Sequence, residues 1–261
     1  MNRVSFDILS QPNDSTCGPT CLHAVYRYYD DEIPLETVIQ EAGKLDQGGT
    51  LAVFLGTHAL KRGYDATIYT FDLQLFDPTW FREPFPDLTD RLEAQRAVKP
   101  SPRLQTATEA FLDFLRLGGK VKMEVLTIDL IRRYLKREIP LLTGLSATFL
   151  YGECREYCPD VPPPGRTTVA DDVRGQPAGH FVVLCGYDSE RRTVLVADPL
   201  EPNPIAKDRQ YAVDIDRVFS AIMLGIVTYD ANLMIIRPRT TKGESRHART
   251  DRDRQHQRLA R

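Results

Sequence analysis

The stretch Gln11-Pro12-Asn13-Asp14-Ser15-Thr16-Cys17-Gly18-Pro19-Thr20-Cys21 sets a thiol directly before a Gly-Pro pair. An apolar run of helical spacing follows, through Leu22, Ala24, Val25, Tyr28 and Tyr29. Glycine accepts the dihedrals of a sharp turn, and proline is pre-set for a first helical turn. Cys17 is therefore expected at a helix N-terminus. There the unpaired N–H groups and the helix dipole favour thiolate over thiol, the form a nucleophilic cysteine must take. Gln11, six residues upstream, stands where its amide can serve a developing oxyanion. The competing reading is a small buried apolar residue, the commoner use of cysteine. A base and an orienting group decide between them.

Of the five histidines, His247 and His256 fall in a charged tail, and His23 and His58 fall inside expected helices. His180 differs. It opens Gly179-His180-Phe181-Val182-Val183-Leu184-Cys185-Gly186-Tyr187-Asp188, an apolar run bounded by turn residues that reads as a buried strand. A turn over 188–192 leads to Thr193-Val194-Leu195-Val196-Ala197, closed by Asp198-Pro199. In an antiparallel hairpin the start of the first strand lies beside the end of the second. His180 and Asp198 thus become neighbours and supply base and orienter.

Gln11 with Cys17-Gly18-Pro19, then Gly179-His180-Phe181-Val182-Val183, then Ala197-Asp198-Pro199 resembles the papain-like cysteine peptidases. Within them it is most similar to the bacteriocin leader-peptide peptidases, which cleave after a double glycine, and to their stand-alone relatives. The resemblance runs from about residue 8 to 237 and keeps the family's order of Cys, His and Asp. It implies Cys17 as nucleophile, His180 as general base and acid, Asp198 as orienter and Gln11 as oxyanion donor. Gly49-Thr50 looks like the family's helix start beside the cleft, so Gly49, Thr50 and Gly179 are the expected substrate-binding residues. The best-known relatives are N-terminal domains of membrane transporters, and no transporter follows here. The segments 71–120 and 152–179 look longer than a minimal core.

The implied activity is hydrolysis of a peptide or amide bond through a thioester. A papain-like acyl or peptidyl transferase, of which phytochelatin synthases are one kind, would use the same thioester. A peptide-binding module of the same shape with its chemistry lost is the other class, and the full set of four residues argues against it. No cofactor is expected.

The 261 residues are 42% hydrophobic and 27% charged, enough to build a core, and the formal net charge of −2 implies no bulk attraction to nucleic acid or membrane. The expected partner is a peptide or protein substrate. Neither a signal peptide nor a stretch of membrane-spanning length is seen, and the residues before Cys17 leave little room for an inhibitory propeptide. Five cysteines, an odd count, argue against a disulfide framework and for a cytoplasmic location. Cys154-Arg155-Glu156-Tyr157-Cys158 together with Cys17 and Cys21 offers four thiols, but the spacing is not that of a zinc knuckle and Cys17 is already assigned, so no metal is expected. Cys21, one turn from Cys17, is expected to pack into the core.

In chain order, the pattern predicts an extended approach over 6–9 and helices over 17–29, 34–42, 50–62, 88–97, 106–117, 127–137 and 215–223. Strands are expected over 66–71, 120–125, 140–146, 179–188, 193–197, 210–213 and 233–237, with Thr50 and Gly63 bracketing the third helix. The 77–86 segment, with Trp80, Phe81 and Phe85, is a loop or arm that caps the cleft or anchors to the body. Pro162-Pro163-Pro164-Gly165 is a stiff turn in the loop leading to His180. The fold class is α+β: a papain-like cysteine peptidase fold in which a helical lobe carrying the nucleophile helix packs on an antiparallel sheet lobe. One domain is expected over 1–238, with insertions near 72–119 and 152–178. A basic tail, 239–261, has almost no apolar residues and is expected to be disordered and solvated, a nucleic-acid or acidic-partner role being the rarer alternative.

Overall fold

The computed structural model describes residues 2–3, 6–45, 49–161, 167–228 and 231–239. Its first half is mainly helical: β1 (Asn2–Arg3), α1 (Cys17–Tyr28), α2 (Leu35–Glu41), α3 (Ala52–Lys61), β2 (Tyr64–Thr70), α4 (Leu88–Val98) and α5 (Pro102–Arg116). Then come β3 (Lys120–Lys122), α6 (Ile128–Leu135), β4 (Leu141–Ser146), α7 (Ala147–Tyr151), β5 (Glu156–Tyr157) and β6 (Val169–Ala170). The chain continues through β7 (Gly179–Asp188), β8 (Thr193–Ala197), β9 (Gln210–Asp214), α8 (Ile215–Leu224) and β10 (Asn232–Pro238). The class is α+β.

Among the described residues eight strands form one sheet in the order β3-β2-β10-β4-β7-β8-β9, with β1 pairing β7 beyond the end of β4. Every pairing is antiparallel except β2 with β3. Side chains alternate across a strand, and the sheet uses both faces. Phe181, Val183, Leu195 and Ala197 join a core with α1, α3 and α5. Val182, Leu184, Val194 and Val196 join a second core with α6, α7 and α8. Apolar residues on both faces explain why β7 and β8 read as apolar runs and β4 as apolar enough to be central. A bulge at Cys185 shifts the register between Leu184 and Gly186, so that Tyr187 packs on the second core.

Several expectations are corrected. The third helix starts at Ala52 with Leu51 as its N-cap, so Thr50 is not the cap. The fifth starts at Pro102, behind Ser101, because proline suits the first helical turn. β3 stops at Lys122, since its neighbour β2 runs out at Thr70. Helix α7, capped by the Ser146 hydroxyl on the N–H of Phe149, and the β5–β6 ribbon stand in a region read only as strand end and loop. Trp80 and Phe81 pack their rings on Phe76, which stacks edge-on against Phe111 at 4.9 Å, so they anchor the arm to the body. Phe85 is exposed. Residues Pro162-Pro163-Pro164-Gly165 and 240–261 lie outside the described residues.

Candidate active site

The turn that presents Cys17 is built by Asn13. Its side-chain oxygen accepts from the N–H and hydroxyl of Ser15 at 3.0 and 2.8 Å, an Asx turn. Its carbonyl accepts from the N–H of Thr16 at 3.2 Å and the Thr16 hydroxyl at 2.9 Å. The chain then enters α1 with Thr16 as N-cap, Cys17 first and Gly18 second. No side chain caps this end, and no acidic residue lies in its first turn. Pro19 has no N–H to leave unsatisfied, and the N–H of Thr20 bonds the Thr16 carbonyl at 3.0 Å. The Cys17 and Gly18 amides are the orphan donors beside the thiol.

Helix α1 is held at the right height by its second cysteine. The Cys21 thiol donates to the Phe181 carbonyl at 3.2 Å, and Cys21 is fully buried as expected. Burial pushes this thiol well up, with the charges of Cys17 and Asp198 adding to it. Cys17 lies one turn before Cys21 on α1, and His180 lies one residue before Phe181 on β7, so this bond ties the Cys17 end of the helix to the His180 end of the strand. Gly18 permits the approach: a Cβ there would meet Thr50 Cγ2 at 2.4 Å, Leu55 Cδ1 at 3.1 Å and Phe181 Cδ2 at 3.2 Å.

His180 and Asp198 meet through the β7–β8 hairpin, where Val183 pairs with Ala197. His180 Nε2 donates to Asp198 Oδ1 at 2.8 Å, with the aspartate fully buried and the histidine nearly so. Burial alone would hold His180 down. The charges of Asp198 and Cys17, and hydrogen bonds to both, outweigh it and raise the imidazole to about 10. Burial would raise the Asp198 carboxyl, but the His180 charge and the donors around it bring it to about 2. Asp198 holds one side of the imidazole, and Cys17 acts on the same ring.

Sequence reasoning missed three partners of Asp198. Tyr151, at the end of α7, donates to Oδ2 at 2.8 Å, Asn203 Nδ2 donates to the same oxygen at 2.9 Å, and the hydroxyl of Tyr211, on β9, donates to it as well. Oδ1 accepts in addition from the N–H of Leu200 at 3.0 Å. The available signal was that β8 and β9 flank Asp198-Pro199 and must pair, which brings Tyr211 opposite Val196.

Gln11 sits beside this hairpin: its N–H donates to the Pro199 carbonyl at 2.9 Å. Its side-chain amide donates to the Asn13 carbonyl at 3.0 Å, and its Oε1 is buried with no partner among the described residues. An amide nitrogen carries two hydrogens, so this bond positions the nitrogen and leaves a second N–H.

The expected substrate-binding residues divide. The Thr50 hydroxyl donates to the Gly43 carbonyl at 2.6 Å, and its methyl is the group nearest Gly18. The Thr50 methyl thus packs on the turn that presents Cys17, while its hydroxyl donates within its own loop. Gly49 takes the left-handed conformation at φ +78° that its loop requires. Gly179 is exposed beside His180 and pairs with Ser146. Cys154 and Cys158 are exposed while Cys17 and Cys21 are buried. Among the described residues no three His, Cys, Asp or Glu side chains gather as a metal site. No helix there is long and apolar enough to cross a membrane.

Residues 103–222, just under half of the chain and including His180 and Asp198, match the Peptidase_C39 like family. No curated protein matches. Among solved structures, a Bacillus anthracis protein described as C39-like peptidase is similar at 14% identity and TM-score 0.49, over 92% of this chain and 98% of that one. Xylellain, a cysteine protease from Xylella fastidiosa, is 17% identical at TM-score 0.41, over 90% and 84%. A double glycine motif protease from an AMS/PCAT transporter, in complex with the leader peptide, is 14% identical at TM-score 0.42, over 91% and 94%. At these scores the three likenesses carry no argument about chemistry. Through its family match and its α+β fold, the chain resembles the C39 peptidases, a group of papain-like cysteine peptidases with both double-glycine and stand-alone members.

Proposed function

We propose that this protein is a cysteine peptidase that cleaves a peptide or amide bond through a thioester acyl-enzyme. In this reading the Cys17 thiolate, paired with the His180 imidazolium, attacks the scissile carbonyl carbon. The carbonyl electrons move to an oxyanion facing the Cys17 amide and the second N–H of Gln11. His180 gives its proton to the leaving amine as the C–N bond breaks. It then takes a proton from water as the water attacks the thioester, and Cys17 leaves as thiolate. Asp198 holds the ring and supports its charge throughout. The observation that supports the reading is the buried His180 bonded by Nε2 to Asp198 at 2.8 Å, with Cys17 near enough for its charge to act on the same ring.

The substrate class that fits the resemblance is a peptide with a small-residue cleavage site, a double-glycine leader being the first to try. Gly179 is the substrate-binding residue this reading retains, and Gly49 belongs to the loop whose Thr50 packs on Gly18. Residues 1–238 are taken as one catalytic domain with a basic tail, and an odd count of five cysteines with Cys154 and Cys158 exposed fits a reducing, cytoplasmic setting. The test is digestion of a peptide library containing double-glycine leaders, with product mass read for the wild type and for Cys17→Ala. Cleavage lost in Cys17→Ala supports the reading. Equal cleavage by both proteins refutes it.

A further inference from the structure

The densest polar cluster of the described residues lies behind the imidazole, around a carboxylate that solvent does not reach. Asp198 accepts five hydrogen bonds: from His180 Nε2 and the Leu200 N–H on Oδ1, and from Tyr151, Tyr211 and Asn203 on Oδ2. These donors come from separate parts of the chain, β7, the loop after β8, α7 and β9. A carboxylate has about four lone-pair sites, so this one is saturated. The two tyrosines bring hydroxyls on rigid rings, and the Tyr151 ring lies 6.1 Å from that of His180.

We propose that Tyr151 and Tyr211 are positioning residues, whose hydroxyls pin Oδ2 so that Oδ1 alone faces His180 and the other ring nitrogen stays aimed at Cys17. The proposal rests on the catalytic reading above. The physical need is specific. Rotation about the terminal bond of an aspartate is soft and nearly two-fold. Without donors on Oδ2 the buried carboxylate could swing and turn Oδ1 away from the ring. With three donors there, turning the group breaks all of them at once. Both tyrosines are pushed up by burial and by the Asp198 charge, so they stay protonated donors at any working pH. The titratable groups facing Asp198 are Cys17 and Cys21 from α1, Tyr151 from α7, His180 from β7 and Tyr211 from β9. The Arg209 side chain turns away to the Ile8 carbonyl and Glu201.

The experiment needs no substrate. The rate of Cys17 alkylation by iodoacetamide is measured against pH for the wild type, Tyr151→Phe, Tyr211→Phe and His180→Ala. Tyr69→Phe serves as control, because its hydroxyl is bonded at 2.7 Å to Tyr134, away from the site. Weaker support of the imidazolium raises the acid midpoint of the profile. A lost bond to a charged group corresponds to roughly a tenfold change or more in that equilibrium, so each Tyr→Phe variant is expected to shift the midpoint up by about one pH unit. Tyr69→Phe should lower the melting temperature without moving the midpoint. Profiles of Tyr151→Phe and Tyr211→Phe that superimpose on the wild type, while His180→Ala changes the profile, overturn the positioning role alone. A profile unchanged in His180→Ala overturns the catalytic reading and this proposal together. Each single variant decides its own residue, so the test does not depend on a foldable double variant.

Discussion

The backbone N–H of Gln11 donates to the carbonyl of Pro199 at 2.9 Å, which ties the segment before Cys17 to the residue after Asp198. Two more bonds continue this seam: Arg209 Nε donates to the Ile8 carbonyl at 2.8 Å, and the Gln210 side chain donates to that of Phe6. The extended run 6–11 is therefore held along the loop that presents Asp198, although it is no strand. Because the Gln11 tie is a backbone bond, it survives any non-proline side chain at position 11.

Gln11→Ala separates the two duties of that residue. The segment should stay in place through the Pro199 bond. Stability should fall only by the net worth of the bond to the Asn13 carbonyl, about 0.5–1.5 kcal/mol. Turnover should fall by about a hundredfold to a thousandfold, the usual cost of one oxyanion donor. Measuring the melting temperature and kcat side by side checks this. Normal turnover would remove Gln11 from the site.

Thiol labelling should follow position. Cys17 is expected to react with iodoacetamide first near neutral pH, ahead of the exposed Cys154 and Cys158. Cys21 and Cys185 have no exposed surface and should label only on unfolding. In His180→Ala the lead of Cys17 should vanish. Peptide mass mapping over a time course reads this order, and slower labelling of Cys17 than of both loop thiols in the wild type would contradict it.

What the sequence made legible was local. Gly18-Pro19 marks the start of α1, and the turn over 188–192 fixes the hairpin, so Cys17, His180 and Asp198 could be placed from neighbours in the chain. What it hid was assembled across the sheet. Tyr151 reaches Asp198 because α7 directly follows the central strand β4, and Tyr211 because β9 pairs with β8. A tyrosine in a half-buried element reads as ordinary packing until its neighbours are known. Thr50 is ambiguous for a related reason: a hydroxyl that donates within its own loop and one offered to a ligand look alike in sequence.

Asp198→Asn should fold. Its oxygen can accept from His180 and Leu200, and its amide hydrogens can serve two tyrosine oxygens. Losing the charge should cost about tenfold to a hundredfold in turnover, less than His180→Ala, which removes the base. A pH signature accompanies it. The Asp198 carboxyl lies at about 2 in the fold against an ordinary 3.8, so its stabilisation is present above about pH 4 and lost as pH falls through about 2. The His180 imidazole lies at about 10 against 6.5, so its stabilisation is full below about pH 6.5 and lost as pH rises through about 10. The melting temperature of the wild type relative to Asp198→Asn should therefore be highest between about pH 4 and 6.5 and decline on both sides. A difference flat from pH 3 to 9 would show that the pair does not titrate with folding.

Gly18→Ala probes the fit of the nucleophile turn. The added methyl would lie 2.4 Å from Thr50 Cγ2, with Leu55 and Phe181 closing the other sides. Thr50 has little room to yield, since its hydroxyl is bonded to the Gly43 carbonyl at 2.6 Å. Overpacking of this kind typically costs about 1–3 kcal/mol. The turn that must move carries the Cys17 amide, and a misplacement of about 1 Å at a reacting group can cost about a hundredfold in rate. The expected result is a lower melting temperature with a larger fractional loss of kcat, both partly restored by adding Thr50→Ser, which removes the opposing methyl and keeps the hydroxyl. A Gly18→Ala protein as stable and active as the wild type would show that α1 can back away from β7 without harm, contrary to the Cys21–Phe181 tether that holds it there.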